Sequence, residues 1–192
     1  MKILGLYNNI CALELFEWIE RQGHELIKTS DILDPSWCKI EKFDLAISYT
    51  YRFIISQDII DIFDGNIVNI HNSCLPWNRG ADPNLWSIVD GAPRGVTLHY
   101  IDSSLDKGEI ISQIIVDDID DESTLSTTYD YLDKCAKDLF KTMFKYYDYW
   151  PSLKKKCIGN GSYHSIKDGK QIKSVITSYD MLVSDFIDKV KS

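Results

Sequence analysis

Along the first seventy residues, apolar positions occur in two alternating periods. Residues 2–7 are an apolar run of strand length. Leu13, Phe16 and Ile19 then recur at helical spacing until Gly23 stops them. Residues 24–28 and 43–49 are two more runs of strand length, the second reached through a polar loop. Residues 56–63 read as a short helix capped by Ser56 and closed by Gly65, and residues 66–70 as a further strand. Strand and helix in alternation predict a parallel sheet covered on both faces, so the expected fold class is α/β, a Rossmann-like doubly wound core.

From Gly95 the pattern changes. Residues 96–101 and Ile110–Val116 are β-rich runs separated by a polar, glycine-containing segment, and they predict an antiparallel pair added to the parallel sheet. A short helix is expected over 83–90. Leu125, Tyr129, Leu132, Ala136, Leu139, Phe140, Met143 and Phe144 predict one long helix within 123–147, with Ser123 as its cap and Pro151 beyond its end. After Pro151 the composition turns to Lys, Gly and Ser, and only 178–190 looks helical. The expected division is a core of residues 1–150 and a small C-terminal extension of 151–192 whose job the residues do not state.

At 192 residues the chain can bury a substantial core. Its opening apolar run breaks at Tyr7-Asn8-Asn9, too short for a signal-peptide core or a bilayer span, so a soluble, cytoplasmic protein is expected. Five cysteines, at 11, 38, 74, 135 and 157, are scattered and never form Cys-x-x-Cys, and they read as buried apolar thiols. A net charge of −8 disfavours nucleic acid as a partner, while one or two local arginines can still hold a nucleotide-sized anion.

The stretch with chemistry in it starts at Asn69 and runs through His71, Leu75-Pro76, Trp77, Arg79-Gly80 and Trp86, then through Gly95-Val96-Thr97-Leu98-His99 to Asp106-Lys107-Gly108-Glu109-Ile110. It begins at the carboxyl end of a predicted strand, where open α/β sheets place their ligand crevice. Asn69 and His71 are two apart, so extended backbone points both to one face. Two readings are open on residue chemistry alone. Either the pair and its loop bind a ligand, or Asn69 caps the loop and His71 fills a hydrogen-bonded structural site.

The same stretch resembles the formyltetrahydrofolate-dependent formyltransferases, most closely those acting on amino sugars. The family pattern of Asn-x-His, Leu-Pro, a basic residue with Gly, Gly-x-Thr-x-His and Asp-x-Gly-x-Ile falls on Asn69 and His71, Leu75-Pro76, Arg79-Gly80, residues 95–99 and residues 106–110. The resemblance covers about the first 150 residues. It implies Asn69, His71 and Asp106 as catalytic residues and 10-formyltetrahydrofolate as formyl donor. The pterin is expected against Tyr51, Arg52, Phe53 and Ile54 and against a second loop with Ser103 and Leu105. Asn9, Trp77, Arg79 and Gly80 are expected on the acceptor side. No metal is required, and His99 reads as a hydrogen-bonded structural residue.

The resemblance implies a small-molecule amine as acceptor. Methionyl-tRNA fits poorly with the acidic charge. Glycinamide ribonucleotide would want a glycine-rich phosphate loop after the first strand, where this chain reads Leu6-Tyr7-Asn8-Asn9-Ile10-Cys11. An amino sugar, nucleotide-linked or nonulosonic, is the favoured acceptor. A formyltetrahydrofolate hydrolase, or a binding module without turnover, uses the same fold as an alternative. The reading leaves room for a homo-oligomer, and Trp86 is left open between core and sugar-facing roles.

Overall fold

A computed structural model describes residues 1–117, 119–120 and 122–192. In chain order the first elements are β1 (Lys2–Leu6), α1 (Cys11–Arg21), β2 (Glu25–Thr29), α2 (Pro35–Glu41), β3 (Leu45–Tyr49), α3 (Gln57–Ile62) and β4 (Ile67–His71). There follow β5 (Arg79–Gly80), α4 (Pro83–Asp90), β6 (Arg94–Tyr100), β7 (Ile110–Val116), α5 (Leu125–Phe144), α6 (Trp150–Leu153), β8 (Tyr163–His164), α7 (Ile166–Lys173) and α8 (Val183–Lys191). Six strands form one sheet in the order β2-β1-β3-β4-β6-β7. The first four pair in parallel, and β6 and β7 join antiparallel, as the sequence pattern predicts.

Side chains alternate across a strand, so each central strand feeds two cores. Ile3, Ile47, Val68 and Ile70 face α1 and α5 and pack with Phe16, Leu132, Phe140 and Trp150. Leu4, Leu6, Ala46 and Ile67 face the other way, toward Cys38 of α2 and Ile59 and Ile60 of α3. The polar residues of β4, Asn69 and His71, fall on the Ile67 face, two and four positions further along the strand.

Four local expectations are corrected. The polar loop before β3 contains α2, started by Asp34, whose carboxylate accepts the Ser36 N–H at 2.7 Å, and by Pro35 at the first helical position. Ser56 precedes α3 without capping it through its side chain. The cap of α5 is Thr124, in a reciprocal box with Thr127, while the Ser123 hydroxyl donates to Asp120 at 2.7 Å. Residues 166–173, unassigned in the sequence pattern, form α7 through a capping box of Ser165 and Asp168.

The C-terminal helices share a core with α4 and α5. Ile172 of α7 and Val183 and Phe186 of α8 pack with Leu85, Ile88 and Leu125. Phe186 is fully buried there. Phe186→Ala is expected to cost about 3–5 kcal/mol, the usual range for emptying a buried phenylalanine site. Urea unfolding should show one transition at a lower midpoint. A change under about 1 kcal/mol would mean that this cluster contributes little to global stability.

Candidate active site

The site begins where the sheet changes direction. In the β4–β6 register Asn69 lies opposite His99, and His71 opposite Thr97. The Asn69 Nδ2 is 3.3 Å from His99 Nε2, and His99 Nδ1 is 2.8 Å from the Tyr100 carbonyl. A carbonyl oxygen can only accept, so Nδ1 carries the His99 proton and Nε2 is left to accept from the Asn69 amide. Burial pushes the His99 pKa down to about 4, against the pull of Asp106, which keeps the ring neutral and fixes Asn69 as the donor.

His71 is anchored at its other side. Its Nε2–H donates to the Asn78 carbonyl at 3.1 Å, which leaves Nδ1 as the ring atom able to take or give a proton. Asp106 arrives by a folded-back loop. Ile101 N–H donates to the Ile67 carbonyl at 2.8 Å, and an Asx turn follows in which Ser104 N–H donates to Asp102 at 2.8 Å. Gly108 then passes so close to the Tyr100 carbonyl that a Cβ would collide with it.

The Asp106 carboxylate accepts the Gly80 N–H at 2.8 Å and stands 3.8 Å from both His71 Nε2 and His99 Nε2. Burial opposes its charge, but His71, His99, the Gly80 N–H and Arg79 outweigh burial and hold its pKa below the ordinary aspartate value. The structure therefore brings Asn69, His71 and Asp106 together, and adds His99, Asn78 and Gly80 as the groups that orient them.

The other sequence-predicted residues fall in two places. Tyr51 donates through its hydroxyl to the Asp31 carbonyl at 2.6 Å, and its ring meets Phe53 edge to face. Arg52 N–H donates to Asn8 at 2.8 Å, and Ile54 is 83% exposed. Leu105, also exposed, sits one residue before Asp106. Ser103 lines a cavity of about 610 Å³ with Ile101 and Asp102, and α3 contributes Gln57 and Ile60 to it.

On the acceptor side Trp77 is exposed. Arg79 turns to the C-terminal region, its guanidinium donating to the carbonyls of Ser162 and Asn160 at 3.3 and 3.2 Å. Gly80 pairs with His164 in the two-stranded β5–β8 sheet. Trp86 stacks on His164 with centroids 3.8 Å apart, so one face of its ring is covered by the protein itself.

Asn9 closes the start of α1. Its side-chain oxygen accepts the Cys11 N–H at 3.1 Å, its carbonyl accepts from Ala12 at 3.2 Å, and its own N–H donates to Thr50 Oγ1 at 3.1 Å. The amides that would cradle a phosphate at a helix start are thus already paired within the protein. Asn9 Nδ2 reaches Tyr129 OH of α5 at 3.3 Å, a contact invisible in sequence spacing.

Chemically, the arrangement is an amide donor fixed in one orientation, a histidine with one free nitrogen and an ionised carboxylate in a shielded recess. That combination suits attack of an amine on a carbonyl carbon. Negative charge on the carbonyl oxygen needs fixed donors, and the amine proton needs a base.

A model of the family described as formyl transferase matches residues 36–143, more than half of the chain and all three of these residues. The formyltransferase PseJ from Anoxybacillus kamchatkensis was solved in complex with UDP-4,6-dideoxy-4-formamido-L-AltNAc and tetrahydrofolate. It is 38% identical, with a TM-score of 0.86 over 99% of this chain and 100% of that one. A methionyl-tRNA formyltransferase of Acetivibrio thermocellus is 30% identical over 125 residues, 60% of this chain and 40% of that protein. The dTDP-4-amino-4,6-dideoxyglucose formyltransferase of Mycobacterium tuberculosis is 40% identical over 74 residues, 38% of this chain and 31% of that protein. The match thus spans less than half the length of these two curated relatives, whereas it runs the full length of PseJ. A catalytic-type trio on the β4–β6 seam, a mostly parallel sheet and these likenesses lead to one conclusion: the chain belongs to the formyl transferase family.

Proposed function

We propose that this protein moves a formyl group from 10-formyltetrahydrofolate to the amine of a nucleotide-linked amino sugar. The observation that carries the reading is the ionised Asp106 within 4 Å of His71, beside an Asn69 amide that neutral His99 fixes as a donor. The donor supplies the formyl carbonyl. Asn69 then donates to the carbonyl oxygen as the amine nitrogen bonds to the formyl carbon, and the free nitrogen of His71 takes the amine proton and passes it to N10 of the folate as the C–N10 bond breaks and tetrahydrofolate leaves. Asp106 stands beside the positive charge that His71 acquires in doing so.

The 51–54 loop and the loop of Ser103 and Leu105 are the proposed folate clamp. Exposed Ile54 and Leu105 offer the apolar surface a flat heterocycle needs; the first loop follows β3, whose Ser48 pairs with Asn69, and the second contains Leu105 next to Asp106. An amino sugar is favoured as acceptor by the end-to-end likeness to PseJ and its UDP-linked 4-formamido sugar. Paired amides at the start of α1 count against a phosphoribosyl acceptor, and a charge of −8 counts against tRNA. Five free cysteines fit a cytosolic setting, and among the described residues no helix is long and apolar enough to cross a membrane.

The direct test is incubation of the purified protein with 10-formyltetrahydrofolate and a panel of UDP- and dTDP-linked 3-amino and 4-amino sugars. Formamido-sugar and tetrahydrofolate are expected in equal amounts with a 4-amino UDP sugar. Formate release that no acceptor alters would instead identify a hydrolase.

Asp106→Asn should lower kcat by roughly 10²–10⁴-fold with both substrates still bound, because the amide keeps the shape and an acceptor for the Gly80 N–H but cannot hold charge or a proton. Single-turnover rate and melting temperature are to be measured on one preparation. A stable variant with full activity would remove Asp106 from the mechanism.

A further inference from the structure

The oriented atoms of the site trace back to a part of the chain that carries no motif. His71 is held by the Asn78 carbonyl and Asp106 by the Gly80 N–H, so two catalytic-type groups take their positions from the main chain of residues 78–80. That main chain is held in turn by residues 161–164. The Asn78 N–H donates to Ser162 Oγ at 2.8 Å, and the Asn78 side-chain amide lies 2.8 Å from the same hydroxyl. Arg79 N–H donates to the Ser162 carbonyl at 3.1 Å and Ala81 N–H to the His164 carbonyl at 2.9 Å, while Ser162 N–H returns to the Pro76 carbonyl at 3.2 Å.

The approach is as close as backbone allows. A Cβ on Gly80 would collide with the His164 carbonyl, and one on Gly161 with the Pro76 carbonyl. Side chains lock the segment from outside. The His164 ring lies flat on Trp86, 5° from parallel, and its Nε2 donates to Asp90 at 2.8 Å.

We propose that the segment 161–164 is a positioning element of the active site, fixing the backbone of residues 78–80 and through it the ring of His71 and the carboxylate of Asp106. Ser162 and His164 are its positioning residues. The segment touches neither reacting group itself; it sets the two anchors, and small displacements of such anchors are costly to a reaction that needs aligned atoms. The catalytic consequence rests on the formyl transfer proposed above, whereas the geometric one does not.

The test uses the full chain carrying Ser162→Ala, which removes the Asn78 acceptor, or His164→Ala, which removes the stack and the Asp90 pair. Ser162→Thr, which keeps a hydroxyl, is the rescue. Expected in both alanine variants is a fall in kcat of about tenfold, up to on the order of 10²-fold, with both KM values within about twofold of wild type and near-normal turnover in Ser162→Thr.

The second readout needs no turnover. Asp106 is faced by His71 on β4, His99 on β6, and Arg79 and the Gly80 N–H on β5. The Gly80 hydrogen bond depends on the segment's grip, and so does the place of Arg79, whose Nε donates to the Ser162 carbonyl; loosening either acts on Asp106 in the same direction. An N–H donated to a carboxylate favours its charged form, so loosening it raises the Asp106 pKa, and carboxyl ¹³C titration of the free protein should show the rise. If His164→Ala does not fold, His164→Phe keeps the stack and loses only the hydrogen bond to Asp90, and the same shift is expected in it.

A lower melting temperature with kcat and the Asp106 titration both unchanged would overturn the proposal. So would a raised acceptor KM at constant kcat, which would make the segment a substrate contact. If the wild type formylates no amino sugar, the formyl-transfer reading fails alone, and the titration still decides the positioning.

Discussion

Strand β4 pairs in parallel with β3 on one side and antiparallel with β6 on the other, and the site exists because of that change of direction. A parallel neighbour would send its carboxyl end the same way as β4 and carry its next residues off into a helix. The antiparallel neighbour instead runs back along β4 and sets His99 across from Asn69. It then releases the chain beyond Tyr100, and the loop it feeds folds back to bring Asp106 between the two histidines. The contact of Asn69 with His99 is therefore a consequence of one register. A slip of one residue would turn the side chain of His99 to the other face of the sheet and leave the Asn69 amide without its acceptor.

Two histidines share one carboxylate, and their surroundings divide their roles. His99 is 1% exposed, donates its Nδ1 proton to a main-chain carbonyl and is pushed to about 4 by burial, so at neutral pH it acts as an acceptor that orients Asn69. His71 gives its Nε2 proton to Asn78 and keeps the other nitrogen for chemistry. Neither distance from Asp106, 3.8 Å in both cases, is a hydrogen bond, so the carboxylate acts on both rings through its field and is itself tied only by Gly80. For the proposed transfer, that separation suits a group that responds to a charge appearing and vanishing on His71 without being drawn into it.

What the sequence makes legible here is what is local. Asn69 and His71 announce themselves because a spacing of two on a strand end is a geometric statement, and the alternation of runs before them yields the parallel sheet. The orienting role of His99 is not legible. It depends on a cross-strand register between residues thirty apart, joined by no hairpin turn that would fix it. Helix α2 buries only Cys38 fully, and α7 buries only Gly169 and Ile172, so neither shows the apolar stripe that periodicity detects; their caps at Asp34 and Ser165 were the available signal. The strand β8 is two residues long, and the contacts of Ser162, just before it, with Asn78 and Arg79 span more than eighty positions, where no pattern in the chain reaches.

The same long-range contacts explain how the site tolerates its own backbone. Of the six non-glycine residues with positive φ among the described residues, four lie in or beside the site: Thr50 (62°), Asn78 (54°), Asp82 (53°) and Asp106 (51°). Such conformations cost on the order of 1–3 kcal/mol and persist only where the surroundings impose them. Thr50, the β-branched member and the costliest, has its hydroxyl taken by the Asn9 N–H. Asn78 is held at its N–H by Ser162, Asp82 by Lys173 of α7 at 2.7 Å, and Asp106 by Gly80. Each strained residue is secured by a bond from a distant segment, two of them from beyond residue 160. The C-terminal region thus does for the loop of residues 76–82 what β6 does for β4: it supplies the constraint that the local sequence cannot impose on itself.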